Sequence, residues 1–184
     1  MKPTVTITTS LSLLLASAHG AAPSKIPSIC RPDTAAVQSV QIIDGRPLTY
    51  ATCALQDTAV SPRAAGALAA RSYDLCGAPC TSYCHAGGGG PDPNDCTSLA
   101  NEYANNGEFT VAYGTYGWWT WGSCAAGLAN SYGSDLVYCY DWNNWAGVVN
   151  YLAWNCQGTT GDNGGQCDFN NNPNGLGYVI VETA

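Results

Sequence analysis

The chain has 184 residues, ten cysteines, six tryptophans and a formal charge of −7. All six Lys and Arg residues lie at or before Arg71, and the ten carboxylates from Asp74 to Glu182 follow without one basic side chain. Nucleic-acid binding draws its affinity from cations on phosphates, so this composition disfavours nucleic acid, nucleotides and anionic lipid as partners. It leaves a neutral or cationic partner.

The first stretch reads as an export signal covering residues 1–20. Lys2 gives the n-region its charge, Leu11 to Ala16 is the apolar core, and Ala18-His19-Gly20 places small residues before a cleavage point at Ala21. The apolar run is too short to span a bilayer. The expected protein is secreted and extracellular, with no membrane insertion. Ten cysteines, none of them in the signal, then read as a disulfide framework. Cys76, Cys80, Cys84 and His85 resemble a zinc cluster only in spacing, because export disfavours thiolate sites. Eight cysteines alone allow about 105 pairings, so spacing does not give the connectivity.

Residues 21–71 read as an N-terminal extension with a linker. The extension has its own cysteine pair, Cys30 and Cys53, and Asp44-Gly45 between two apolar runs signals a hairpin that Pro47 weakens. Ser61 to Arg71 is small and featureless. It is either an uncut linker or a stretch cut after Arg71 that leaves a propeptide behind; both readings stay open.

Residues 72–184 read as the functional domain. Gly87 to Pro93 is a loop, and it lacks the lysine a phosphate loop needs. Asn94 or Asp95 is expected to cap a first helix, whose apolar stripe is Cys96, Leu99, Ala100, Tyr103 and Ala104. Asp141 is expected to cap a second, with Trp145, Val148, Val149, Leu152 and Cys156 at helical spacing. Cys96 and Cys156 lie on these stripes and should tie the helices to the sheet or to each other. Glu108 to Tyr113, Trp118 to Trp121, Ser123 to Asn130, Leu136 to Tyr140, Gln166 to Phe169 and Tyr178 to Val181 carry strand signals. Leu136 to Tyr140 is expected to pair with Ser123 to Asn130, and the last two segments to form a hairpin over an Asn-rich turn. The expectation is an α+β fold: a small disulfide-rich antiparallel sheet of four to five strands with two packed helices, as an αβα sandwich.

For catalysis the residues are sparse. His85 is the only imidazole after the signal, and no nucleophile motif accompanies it. A glycoside hydrolase needs two facing carboxylates; Asp95 and Asp141 are better explained as caps. The Asn-rich turn from Asp168 to Gly175 is out of register for a calcium loop. No enzyme, metal or cofactor is expected. The aromatic content is the unusual feature. Trp118, Trp119, Trp121, Trp142, Trp145 and Trp154 are interleaved with Tyr113, Tyr116, Tyr132, Tyr138, Tyr140 and Tyr151. Spacing sends about half of them inward; the rest suit stacking against the apolar face of a sugar, with nearby amides for its hydroxyls. On that chemistry the candidate ligand-binding residues are Tyr116, Trp118, Trp119, Asp141, Trp142, Asn143 and Asn144.

Five motifs in order, His85-Ala-Gly-Gly-Gly-Gly-Pro-Asp-Pro-Asn-Asp-Cys96, Trp119-Thr-Trp-Gly-Ser-Cys124, Tyr138-Cys-Tyr-Asp-Trp142, Trp154-Asn-Cys-Gln157 and Gly164-Gly-Gln-Cys167, resemble the small secreted glycan-binding lectin domain of mushrooms. The resemblance runs from about Cys76 to the C-terminus. It implies recognition of extracellular glycans or glycoproteins that carry N-acetylhexosamine, with fucosylated forms among them, without hydrolysis. Whether the protein forms a homodimer stays open. A weaker likeness is to fungal killer-toxin-like and necrosis-type effectors, which act on membrane or protein targets.

Overall fold

The computed structural model describes residues 25–56, 72–131, 133–169 and 177–184. The expected signal, the stretch from 57 to 71 and the Asn-rich turn after Phe169 lie outside these residues.

A seven-stranded antiparallel sheet forms the frame, in the order β1-β2-β6-β7-β10-β9-β4. Its strands are β1 Ala36–Ile43, β2 Arg46–Ala54, β4 Cys80–Cys84, β6 Thr115–Trp121, β7 Cys124–Asn130, β9 Gly165–Phe169 and β10 Gly177–Thr183. A second sheet of three strands has the order β3-β8-β5, with β3 Tyr73–Asp74, β5 Glu108–Val111 and β8 Leu136–Cys139. The class is the expected disulfide-rich α+β, but the strands outnumber the expected four to five.

Two differences explain the excess. In its described part the N-terminal segment adds strands to the large sheet, because β2 pairs with β6 from Leu48↔Trp121 to Ala54↔Thr115. Asp44 and Gly45 both have positive φ, 50° and 77°, which is the twist a two-residue hairpin turn requires, and Pro47 is accommodated near the start of β2. Leu136–Cys139 also pairs with β5 and β3, not with β7 as expected. Both edges of β7 are already taken, by β6 and β10.

Helix α1 spans Pro93–Tyr103 and α2 spans Trp145–Leu152, the latter running on as a π-helix, Ala153–Thr160. Asp92, not Asn94 or Asp95, caps α1: its carboxylate accepts from Asn94 N at 2.9 Å, and Pro93 fills a first-turn position where a missing N–H costs nothing. Asp95 turns outward from the cap to accept from the backbone N–H and the hydroxyl of Ser123, each at 2.8 Å. Asn144, not Asp141, is the residue that precedes α2.

Both helices bury their stripes in one core with Trp119, Trp121, Leu128, Val179 and Val181. They therefore share one face of the large sheet instead of sandwiching it. The opposite face carries a smaller cluster of Ala51, Tyr116, Trp118, Ala129 and Ile180, packed against Ile29 and the Cys30–Cys53 pair.

Five disulfides close the chain: Cys30–Cys53, Cys76–Cys139, Cys80–Cys167, Cys84–Cys156 and Cys96–Cys124. Cys96 ties α1 to β7, and Cys156 ties the π-helix to β4, so both helices are fastened to the sheet. Native bridges in small domains contribute about 2–5 kcal/mol each. Bridges in this number are typical of proteins that fold in oxidising compartments. Among the described residues, no helix is long and apolar enough to cross a membrane.

Candidate functional site

An open hollow of about 540 Å³ lies between the start of α2 and the β4–β9 edge of the sheet, lined by Cys80, Ser82, Trp142, Asn143, Asn144, Gly147, Val148, Tyr151 and Cys167. Two rings stand out at it: Trp142 is 45% exposed and Tyr151 53%. Exposed aromatic surface is costly to keep in water and usually marks a contact surface.

The turn before α2 sets this geometry. Asp141 Oδ1 accepts from Asn143 N at 2.8 Å, an Asx turn, and both carboxylate oxygens accept from Asn144 Nδ2 at 2.9 and 3.0 Å. Asn144 is buried, and its Oδ1 takes the backbone N–H of Gly77 at 2.6 Å. With that, Asp141 and Asn144 are spent on holding the turn, while Trp142 and the exposed Asn143 project from it. Gly147 is required here, because a Cβ would run into the carbonyl oxygen of Trp142. On the far wall, the Cys80–Cys167 bridge joins β4 and β9, and Ser82 Oγ lies 3.3 Å from Cys167 Sγ.

Of the seven candidate residues, Trp142, Asn143 and Asn144 line this hollow, and Asp141 braces it. Tyr116, Trp118 and Trp119 do not. They are 0%, 1% and 2% exposed and offer no ring face to a ligand. Trp118 and Trp119 do point to opposite sides of β6, but each side is covered: Trp119 lies in the helix-side core and Trp118 in the smaller cluster, stacked on Tyr116 with centroids 5.4 Å apart. Trp145 is likewise buried, at the centre of Phe109, Trp119 and Tyr140, so it shares no exposed face with Trp142.

Sequence reasoning missed Tyr151, Val148, Gly147 and Ser82. Tyr151 had a signal, since it stands off the apolar stripe of α2. Ser82 had none, because its place depends on which cysteine Cys80 meets. Trp154 is a further exposed ring, 46%, and its indole N–H donates to Thr97 Oγ1 at 3.1 Å, which fixes the ring against α1. Tyr132 lies outside the described residues.

Other clusters offer less chemistry. The ligand atoms of Cys76, Cys139 and Glu108 lie within 4.8 Å of one another, but both sulfurs are in a disulfide and cannot serve as thiolates. His85 is half-buried, with Nε2 3.1 Å from Gln166 Oε1, and Gln166 Nε2 donates to Asp168 Oδ1 at 2.9 Å. Cys84 beside it is bridged and is no nucleophile. Burial pushes the Glu182 carboxyl above its ordinary value, and Lys25 and His85 pull it part of the way back.

Comparison with protein-family models, with curated protein sequences and with solved structures returned no match.

Proposed function

We propose that the protein is a secreted carbohydrate-binding protein, and that the hollow beside α2 takes a neutral sugar. The observation that carries this reading is the pairing of two exposed rings, Trp142 and Tyr151, with the amide of Asn143 in one hollow. A pyranose presents an apolar C–H face and a rim of hydroxyls; an indole and a phenol suit the first, an amide the second. Among the described residues the lining holds no Lys or Arg, so an anionic ligand has no counter-charge there. It also holds no Asp or Glu, whereas hydrolysis needs a carboxylate pair across the bond. The motif resemblance to mushroom lectin domains points to glycans bearing N-acetylhexosamine.

A glycan array probed with the full secreted protein tests the proposal. Binding to neutral N-acetylated or fucosylated glycans, lost in Trp142→Ala and kept in Tyr113→Ala, is the expected result. An array that stays blank at high protein concentration overturns it.

A further inference from the structure

The disulfides divide the chain in two. Cys30–Cys53 closes on itself within residues 25–56, and the other four bridges all lie between Cys76 and Cys167. No bridge crosses from one part to the other. Charge divides at the same place. Residues 25–56 hold three cations, Lys25, Arg31 and Arg46, against two carboxylates, and residues 72–184 hold ten carboxylates and no Lys or Arg.

Among the described residues, the contacts across this division are all non-covalent. The β2 strand adds to the free side of β6 over seven residue pairs. Tyr50 stacks on Trp119, with centroids 4.7 Å apart, and Leu48 enters the main core. On the other face the Cys30–Cys53 unit covers the stacked Tyr116 and Trp118. Arg46 reaches Asp95 at 3.4 Å, and Lys25 Nζ reaches the carbonyl of Thr183 at 3.4 Å. A hollow of about 230 Å³ interrupts the seam, lined by Ile43 and Asp44 of the hairpin and by Ser98, Asn101, Glu102 and Trp121 of the body.

We propose that the edge of β6, with Tyr116, Trp118 and Trp119 around it, is a docking surface for a β-hairpin, and that residues 25–56 are its non-covalent occupant. The body keeps its own four staples, both helices and five strands of the large sheet without the hairpin. Departure of the hairpin uncovers an unpaired strand edge and three large rings, so the hairpin acts as a cover for a surface that would otherwise recruit other strands.

A specific-protease recognition sequence inserted between residues 63 and 64 of the full chain allows the test. Cutting leaves both pieces disulfide-closed. The cut protein is expected to elute as one species at neutral pH. In sub-denaturing guanidinium the hairpin should separate while the body keeps its near-ultraviolet circular dichroism, and tryptophan emission should shift to the red. Hairpin added back should restore the emission, and Leu48→Ala in it should weaken reassociation about tenfold or more, the fold-change expected for one buried leucine. Three results overturn the proposal: spontaneous loss of the hairpin on cutting, collapse of the body's dichroism as the hairpin leaves, or refusal of the site to be cut in the native protein, since the intervening stretch would then be part of the packing.

Discussion

Asn144 Oδ1 accepts a 2.6 Å hydrogen bond from the backbone N–H of Gly77, which lies 67 residues earlier in the chain. The same side chain donates from Nδ2 to both carboxylate oxygens of Asp141, at 2.9 and 3.0 Å, so one buried amide fixes the turn that carries Trp142. Asn144→Ala leaves the Gly77 N–H and the Asp141 carboxylate short of partners and should cost about 1–3 kcal/mol. Asn144→Asp keeps the acceptor for Gly77 but sets a second carboxylate against Asp141. It should destabilise at neutral pH and recover in acid. Thermal denaturation of both variants at pH 7 and pH 3 checks this.

Trp142 and Trp145 are three residues apart and should respond in opposite ways. Trp142→Ala removes an exposed ring and should leave the melting temperature nearly unchanged while weakening sugar binding about tenfold or more. Trp145→Ala opens a hole in the aromatic core and should cost about 3–5 kcal/mol. Calorimetric titration and thermal melts, run on both proteins, separate the two effects.

Tyr116 is fully buried, and its hydroxyl has no hydrogen-bond partner among the described residues. Folding strips water from that hydroxyl, and no described residue bonds to it in return. Tyr116→Phe should therefore raise stability by about 1 kcal/mol, since the ring stack with Trp118 is kept. A fall in the denaturation midpoint would show that the hydroxyl is solvated or bonded after all.

Glu182 binds its proton more tightly in the folded chain than in the unfolded one, because burial opposes its charge. A carboxylic acid with a raised folded pKa favours the folded state most below its unfolded value of about 4.3, and that contribution is lost as pH rises through the folded value. Glu182→Gln should be more stable than the parent at pH 7 and equal to it near pH 3. Denaturant midpoints across that range give the difference directly.

Burial pushes the Tyr103 phenol up to about 12, and Tyr138 and Tyr140 in the same core are also raised. The unfolded chain releases these protons near pH 10, so stability should fall as pH climbs above 10. Phenolate absorbance from the three should appear together with the loss of near-ultraviolet dichroism.

The helices were legible because their stripes repeat at 3.6 residues: Cys96, Leu99 and Ala100 are buried in α1 as spaced, and Trp145, Val149 and Leu152 in α2. Their starts were less so, since several Asp and Asn residues near each start can serve as caps and only backbone geometry chooses among them. The placement of residues 25–56 in the sheet was hidden by a change of composition at the linker, which says nothing about long-range strand pairing. Trp118 and Trp119 were misplaced by the rule that a sheet has one wet face; here the second face is covered by Ile29 and Cys30. The far wall of the hollow could not be read at all, because it exists only once Cys80 has found Cys167.

All seven residues of β7 are buried, and most are small: Ala125, Ala126, Gly127 and Ala129 lie between the ring-bearing β6 and the branched residues of β10. A Cβ at Gly127 would strike the backbone carbonyl oxygen of Gly117 as well as the ring of Tyr116. Main chain therefore holds this position as firmly as side chain does. Shrinking residue 116 would not release it, so a lineage could replace its aromatic neighbour and still find glycine compulsory at 127.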